Sequence, residues 1–447
     1  MHGAAQHAST VIFGWSPLWV ATILFVLTYA VIMSEKLNRA IIALTGAGLV
    51  ILLGVAEQKE AMGAVDFNTL GLLLGMMLIV NITRRSGLFQ YVAIWSAKKV
   101  QASPWGVMLM MSIVTAVFSA LLDNVTTVLL TVPVTLLITE ELKVKPYPYL
   151  FAQIFASNIG GTATLIGDPP NIMIGSAVGL TFNDFVVALS PVVVVVLAVT
   201  MVPLYFIWGR HLRATPEDRQ RVMNFSEREA ITDPRLLKQS LVVIGLVILG
   251  FMLQREIKIE PATIAIFGAA VLLLLDNLGK DAETQSHNVH AALSEAEWIT
   301  LMFFLGLFVL VYGVEKAGLI HLMAQGLVDF TQGDFPLAAV LILWSSAIVS
   351  AFIDNIPFVA TMIPLIKDLA PAFGGEQAIM PLWWALSLGA CLGGNGTLIG
   401  ASANLVVAGL AGRAGTHFRF VEYMKVGFPL MLISIVISHA YLVWRFL

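Results

Sequence analysis

The chain carries two motifs, and each appears twice. Ser-Ala-Leu-Leu-Asp-Asn at 119–124 returns as Ser-Ala-Phe-Ile-Asp-Asn at 350–355, 231 positions later, with Pro133 and Pro364 following in the same register. GGTATLIGDPPN (Gly160–Asn171) returns as GGNGTLIGASAN (Gly393–Asn404), at an offset of 233. Upstream, Thr69, Gly75 and Gly87 recur as Thr300, Gly306 and Gly318. A period this long implies a duplicated half rather than a solenoid repeat. The chain is also 58% hydrophobic and only 12% charged, too little charge to cover a soluble surface of this size. Several apolar stretches approach the ~20 residues that cross a bilayer. In such a chain, Gly/Pro-broken segments at matching places in two halves point to a transporter's substrate site.

Hydropathy and charge predict an all-α polytopic fold: two inverted repeats, each with five transmembrane helices and one re-entrant hairpin. The first repeat is expected over 1–208, with crossings near 17–33, 40–56, 67–83, 148–180 and 184–208 and a hairpin at 105–140. The second is expected over 240–447, with crossings near 240–254, 261–278, 298–314, 382–410 and 424–444 and a hairpin at 337–370. Residues 209–239, with Pro216 and Pro234, read as a polar, partly helical cytoplasmic linker. Each hairpin has a polar tip between arms judged too short to span alone, a backbone that membranes tolerate only beside protein or a water-filled cavity. Five crossings per half, an odd number, require the halves to run in opposite senses. With both termini outside, Lys59, Arg255, Lys258, Lys316, Lys367 and Arg445 fall outside and the rest of the 25 Lys and Arg fall inside, in keeping with the positive-inside rule. The acidic segment 279–297 is then also inside, and acids weigh little in that rule. Residues 1–16 hold no Lys or Arg ahead of the first apolar run, so no cleavable signal peptide is expected.

The candidate site lies at four polar breaks. Asp123 and Asp354 sit at the hairpin tips, and intramembrane carboxylates usually face a cavity and mark ion or proton pathways. Both are assigned to proton coupling, against the plainer reading of an Asp that caps the following helix. Asn124, Thr126 and Thr127 add oxygen ligands suited to a hard cation. Asn355 at the second tip is followed by Ile-Pro-Phe instead of hydroxyls. Glycine pairs, prolines and small polar residues unwind the other two segments, freeing carbonyls and half-helix N-termini as ligands. Their candidates are Asn158, Gly160, Gly161, Thr162, Thr164, Asp168 and Asn171, and then Gly393, Gly394, Asn395, Thr397, Ser402 and Asn404. Close helix packing through small residues is the competing account of the glycines. Asp168 has no acidic counterpart, since Ala401 takes its place; it is either a third titrating acid or a residue at the aqueous edge of the break. Cys391, the single cysteine, excludes an intrachain disulfide and a multi-thiolate metal site. It reads as a small buried residue ahead of a soft-metalloid ligand. His287 and His290 read as solvated. No catalytic nucleophile–base set, metal triad or Walker-type loop is evident, so neither an enzyme nor a cofactor beyond coupling protons or sodium is expected, and no nucleic-acid partner.

LLDNVTTVLLTVP, SNIGGTATLIGDPPN, FIDNIPFVATMIP and GACLGGNGTLIGASAN resemble the ion transporter superfamily, and their wording is nearest to its ArsB, NhaD and P-protein branch. The resemblance covers nearly the whole chain. It implies a homodimer in the cell inner membrane, with a scaffold domain and an elevator-type transport domain that holds both hairpins and both broken helices. It also leaves room for a soluble ATPase partner, as some ArsB-like proteins have. In the superfamily's sodium-coupled carboxylate transporters the hairpin tips read Ser-Asn-Thr, whereas here aspartate replaces the serine in both halves. Added negative charge makes a poor receptor for a dicarboxylate. The expectation is therefore efflux of arsenite or antimonite in exchange for protons, with sodium/proton antiport as the alternative and carboxylate transport or a channel behind both.

Overall fold

In the computed structural model, residue 11, residues 14–34 and residues 36–447 are described. The N-terminus itself, expected outside, lies beyond the described residues. Those residues form 22 α-helices, short 3₁₀ turns and no strand. Seven helices are long and apolar enough to cross a membrane. The chain divides into two compact units.

One unit gathers residues 1–70, 297–338 and 360–380. Its core is Val20, Ala21, Ala47 and Val50 packed with Val309 and Leu310. Helices Arg39–Leu52 and Trp298–Lys316 meet backbone to backbone, because a Cβ added to Gly306 would lie 2.5 Å from the Ala43 carbonyl carbon. That is the small-residue packing that lets apolar helices approach closely. The Lys316–Glu60 ion pair and a Tyr29–Thr361 hydroxyl bond of 3.0 Å add polar ties.

The other unit gathers residues 71–296, 339–359 and 381–447. At its centre are helices Tyr147–Gly161 and Met380–Gly393, whose residues are buried without a break from Pro148 and from Leu382 onward. A helix apolar on every side belongs inside a larger body. The chain interrupts each of these helices at the glycine pair. Residues 162–168 are irregular before Pro169–Val178, and residues 394–401 are irregular before Ser402–Arg413.

The hairpins are Pro104–Leu121 with Asn124–Glu141, and Phe335–Phe352 with Asn355–Leu369. Their first arms correct the sequence reading. Each is an 18-residue helix, apolar and long enough to span, roughly 27 Å at 1.5 Å per residue, so length does not make them re-entrant. Helices Leu88–Lys99, Ala282–Ser294 and Leu319–Thr331 were not anticipated. The linker also ends earlier than expected. Pro234–Met252 is one helix, begun by Asp233, whose side chain accepts the Arg235 and Leu236 N–H groups.

The remainder of the linker is tied down. Thr232 N–H bonds the Ser86 carbonyl at 3.1 Å, Lys98 Nζ donates to the Phe225 carbonyl at 2.9 Å, and Arg219 and Arg221 reach the Gln101 and Glu141 carbonyls. The Lys98 hydrogen bond holds the Glu227 carboxyl below the ordinary range, and the bond with Thr215 does the same for Asp218.

Candidate functional site

The first hairpin tip is built by its cap. Leu122 and Asp123 are extended, and Asp123 Oδ1 accepts the Thr126 N–H at 2.8 Å, which starts the second arm. The capping reading of Asp123 is thus realised in the geometry. Asp354 at the second tip accepts from Ser402 Oγ at 2.9 Å and from the Ile356 N–H at 3.4 Å. Asp123 is buried, whereas Asp354 is partly exposed.

Between the tips lies a cluster of amides. Asn124 Nδ2 donates to Asn158 Oδ1 at 3.3 Å. Asn158 Nδ2 donates in turn to Asn395 Oδ1 at 3.0 Å and to Asn404 Oδ1 at 2.9 Å. All four asparagines are buried, and they come from three different segments of the chain. Asn395 Nδ2 has no partner, and neither does the buried Thr127 Oγ1.

A second cluster surrounds Asp168 and Asn171. Asn355 Nδ2 lies 3.3 and 3.5 Å from the two Asp168 oxygens. Ser387 Oγ donates to Asn171 Oδ1 at 2.6 Å, with Cys391 Sγ at 3.6 Å from the same atom.

Other expected ligands hold the breaks in shape. Asn171 Nδ2 bonds the Gly161, Thr162 and Thr164 carbonyls, and Asn404 Nδ2 bonds the Gly394 and Thr397 carbonyls. Thr164 Oγ1 donates to the Ala120 carbonyl at 2.5 Å, and Thr397 Oγ1 donates to that of Ala351. Thr162 Oγ1 is spent on the Asn158 carbonyl. Gly160 and Gly393 are contact points. A Cβ at either would press on the main chain of Ala116 or Ala347, so for these two the packing account applies. These hydroxyls and carbonyls satisfy one another, which is how irregular backbone survives away from water.

Sequence reasoning passed over Ser119, Ser350, Ser387 and Tyr423. Ser119 Oγ bonds the Ser157 carbonyl at 2.6 Å, and Ser350 Oγ bonds the Ala390 carbonyl at 2.7 Å. Both serines open the duplicated hairpin motif, so the repeat itself was the available signal. Tyr423 OH supports the second break by bonding the Asn395 carbonyl at 3.1 Å; no repeat marks it or Ser387.

All nineteen expected site residues fall in the second unit, where Asn124, Asn158, Asn395 and Asn404 form one network and Asp168, Asn171 and Asn355 stand in a second cluster. A model of a family described as a citrate transporter, CitMHS, matches residues 29–389. The chain belongs to the CitMHS family. It is a multi-pass membrane transporter and not an enzyme. An uncharacterised transporter of Mycobacterium bovis is 42% identical over 96% of this chain and 98% of its own length. The human P protein is 34% identical over 95% of this chain and 59% of its own, in line with the P-protein likeness read from the motifs. Among solved structures, the YdaH transporter of Alcanivorax borkumensis aligns with a TM-score of 0.60 at 16% identity, covering 95% of this chain and 98% of that one. MtrF of Neisseria gonorrhoeae, from a class described as antimetabolite efflux pumps, aligns at 0.59 and 14% identity, covering 98% and 96%. At these identities the two structures speak for the fold alone.

Proposed function

We propose that this CitMHS-family chain is a secondary active transporter that exports a small neutral polyhydroxy solute, arsenous or antimonous acid, in exchange for protons. One observation carries the reading: the buried, unpartnered Nδ2 of Asn395 beside the Asn124–Asn158–Asn404 amides. A buried donor left alone costs about 1–3 kcal/mol, and a solute hydroxyl oxygen would relieve it. The described hydrogen-bond partners of this amide cluster are neutral. Asp123 directly precedes Asn124, so a tricarboxylate of the kind in the family's description would approach an acid. A triol meets donors and acceptors only. Sodium/proton antiport is the second reading, favoured by the unpartnered Thr127 hydroxyl one turn into the helix that Asp123 caps.

Because every proposed ligand lies in one compact unit, an elevator-type carrier in which that unit moves with its cargo is the mechanism we favour. We place it as a homodimer in the inner membrane, its two halves oppositely oriented and both termini outside. It needs no cofactor beyond its coupling ions, and a soluble ATPase is at most an added partner. The test is flux into proteoliposomes under an imposed pH gradient, with arsenite, sodium and citrate compared in parallel. Proton-driven arsenite movement that ignores sodium supports the proposal. Sodium movement alone selects the second reading, and citrate movement alone overturns both.

A further inference from the structure

Three acids lie at the breaks, and their carboxylates are served very differently. Asp123 takes a backbone N–H at 2.8 Å, and Asp354 takes a hydroxyl at 2.9 Å. Asp168 occupies the N-cap of Pro169–Val178, yet its side chain makes no capping bond. The cause is covalent. An N-cap carboxylate ordinarily receives the N–H of the second or third helical residue. Here the first two residues are Pro169 and Pro170, which have no N–H, and the third, Asn171, donates its N–H to the Asp168 backbone carbonyl at 2.9 Å. Asp168 is 0% exposed. Its described side-chain partners are the long Asn355 amide contacts and the Cys391 thiol. The titratable groups facing it are Asp123 from the first hairpin, Asp354 from the second and Cys391 from the second broken helix. None of the three supplies a positive charge.

We infer that Asp168, rather than the hairpin-tip aspartates, is the carboxyl that takes up and releases the coupling proton. The inference rests on the proton-coupled reading above and locates its proton. A buried carboxylate served only by long amide contacts and a thiol is costly, and binding one proton makes it a neutral acid. Release requires a conformation or ligand that brings donors to it.

The test needs no substrate. Infrared difference spectra of the purified full chain in lipid are recorded between about pH 9 and about pH 5, a range well above the ordinary Asp value. We expect a buried protonated-carboxyl band that is lost in Asp168→Asn and retained in Asp123→Asn and Asp354→Asn. Pro170→Ala returns an N–H to the cap and should weaken proton binding about tenfold, moving the band's midpoint about one pH unit lower. A band that survives in Asp168→Asn, a wild type with no such band, or an unmoved midpoint in Pro170→Ala overturns the inference. Should Asp168→Asn fail to fold, the Pro170→Ala midpoint decides. If the wild type moves neither arsenite nor sodium, the substrate reading fails and the band still reports on Asp168.

Discussion

Gly160→Ala should damage this transporter more than almost any other single methyl. A Cβ at Gly160 would lie 2.2 Å from the Ala116 carbonyl oxygen and 2.5 Å from its Cα, whereas ordinary contact begins at 3.4 Å. Both atoms are main chain inside helix Pro104–Leu121, so no side chain can turn away. The helices must part by about 1 Å, and overpacking of this kind costs about 1–3 kcal/mol; the rigidity of both partners places the cost near 3. Parting them also stretches the Ser119–Ser157 bond of 2.6 Å and the Thr164–Ala120 bond of 2.5 Å, which join the first hairpin to the broken helix. Asn158, half a turn away, then leaves the amide cluster. The assay is thermal unfolding of the purified protein beside Gly245→Ala, a helical glycine with nothing within 4 Å that should be neutral or slightly stabilising. A midpoint for Gly160→Ala equal to wild type would refute the packing argument. So would rescue by an added Ala116→Gly, because the clashing atoms are not the Ala116 methyl.

Asn158→Ala deletes three hydrogen bonds and orphans buried groups on Asn124, Asn395 and Asn404; a loss of about 2–4 kcal/mol is expected, together with loss of substrate protection against unfolding, and intact protection would remove Asn158 from the site. Asp123→Asn should keep the tip folded, since Asn caps a helix as well as Asp; circular dichroism and melting near wild type are expected, and a collapse would show that the charge itself holds the hairpin. The Glu227 carboxyl is held low by Lys98, so its contribution is present above the unfolded Glu value of about 4.3 and fades as pH falls through the lower folded value. Hydrogen-exchange protection of residues 216–230, taken relative to the intrinsic rate at each pH, should therefore fall in acid, and Glu227→Gln should lower it already at neutral pH; protection indifferent to both would dismiss the tether. A cysteine at the exposed Arg228, in a Cys391→Ser background, should label only from the cytoplasm, and labelling from outside would invert the topology.

The sequence was most legible where it repeats. Glycine pairs, DN tips and apolar runs located both hairpins and both breaks, because unwinding a buried helix demands residues with little bulk and polar atoms to satisfy the backbone. It was least legible where structure depends on length or on partners. Nothing in the apolar runs separates an 18-residue arm from a shorter one, and the amphipathic helix Leu319–Thr331 carries too little apolar sequence to read as a crossing. Asp168 was left undecided between two roles. Its side-chain partners, Asn355 and Cys391, lie far along the chain. The two prolines that deprive it of donors were read only as helix breakers.

The repeat also separates scaffold from chemistry. Positions kept in both copies bond mostly to backbone: Ser119 and Ser350 hold the broken helices, Thr164 and Thr397 hold the hairpins, and Asn171 and Asn404 close the breaks. Several positions that differ bond side chain to side chain, whereas Thr162, matched by Asn395, bonds the Asn158 carbonyl. Asn158 pairs with Cys391 by register, and each donates toward the other half's closing asparagine, Asn404 or Asn171. Asp168 is matched by Ala401, and Ser402, the partner of Asp354, by Pro169. A duplicated frame with identical chemistry in both copies would offer two equivalent sites. Here one copy contributes an amide hub and a donor-starved acid, and the other contributes a thiol and an alanine. Asn355, at the tip of the second half, contacts that acid, Asp168, of the first half. Exchanging the pair, Asn158→Cys with Cys391→Asn, should preserve the backbone bonds and the fold while abolishing coupled flux; undiminished flux in a folded double variant would show that the asymmetry carries no function.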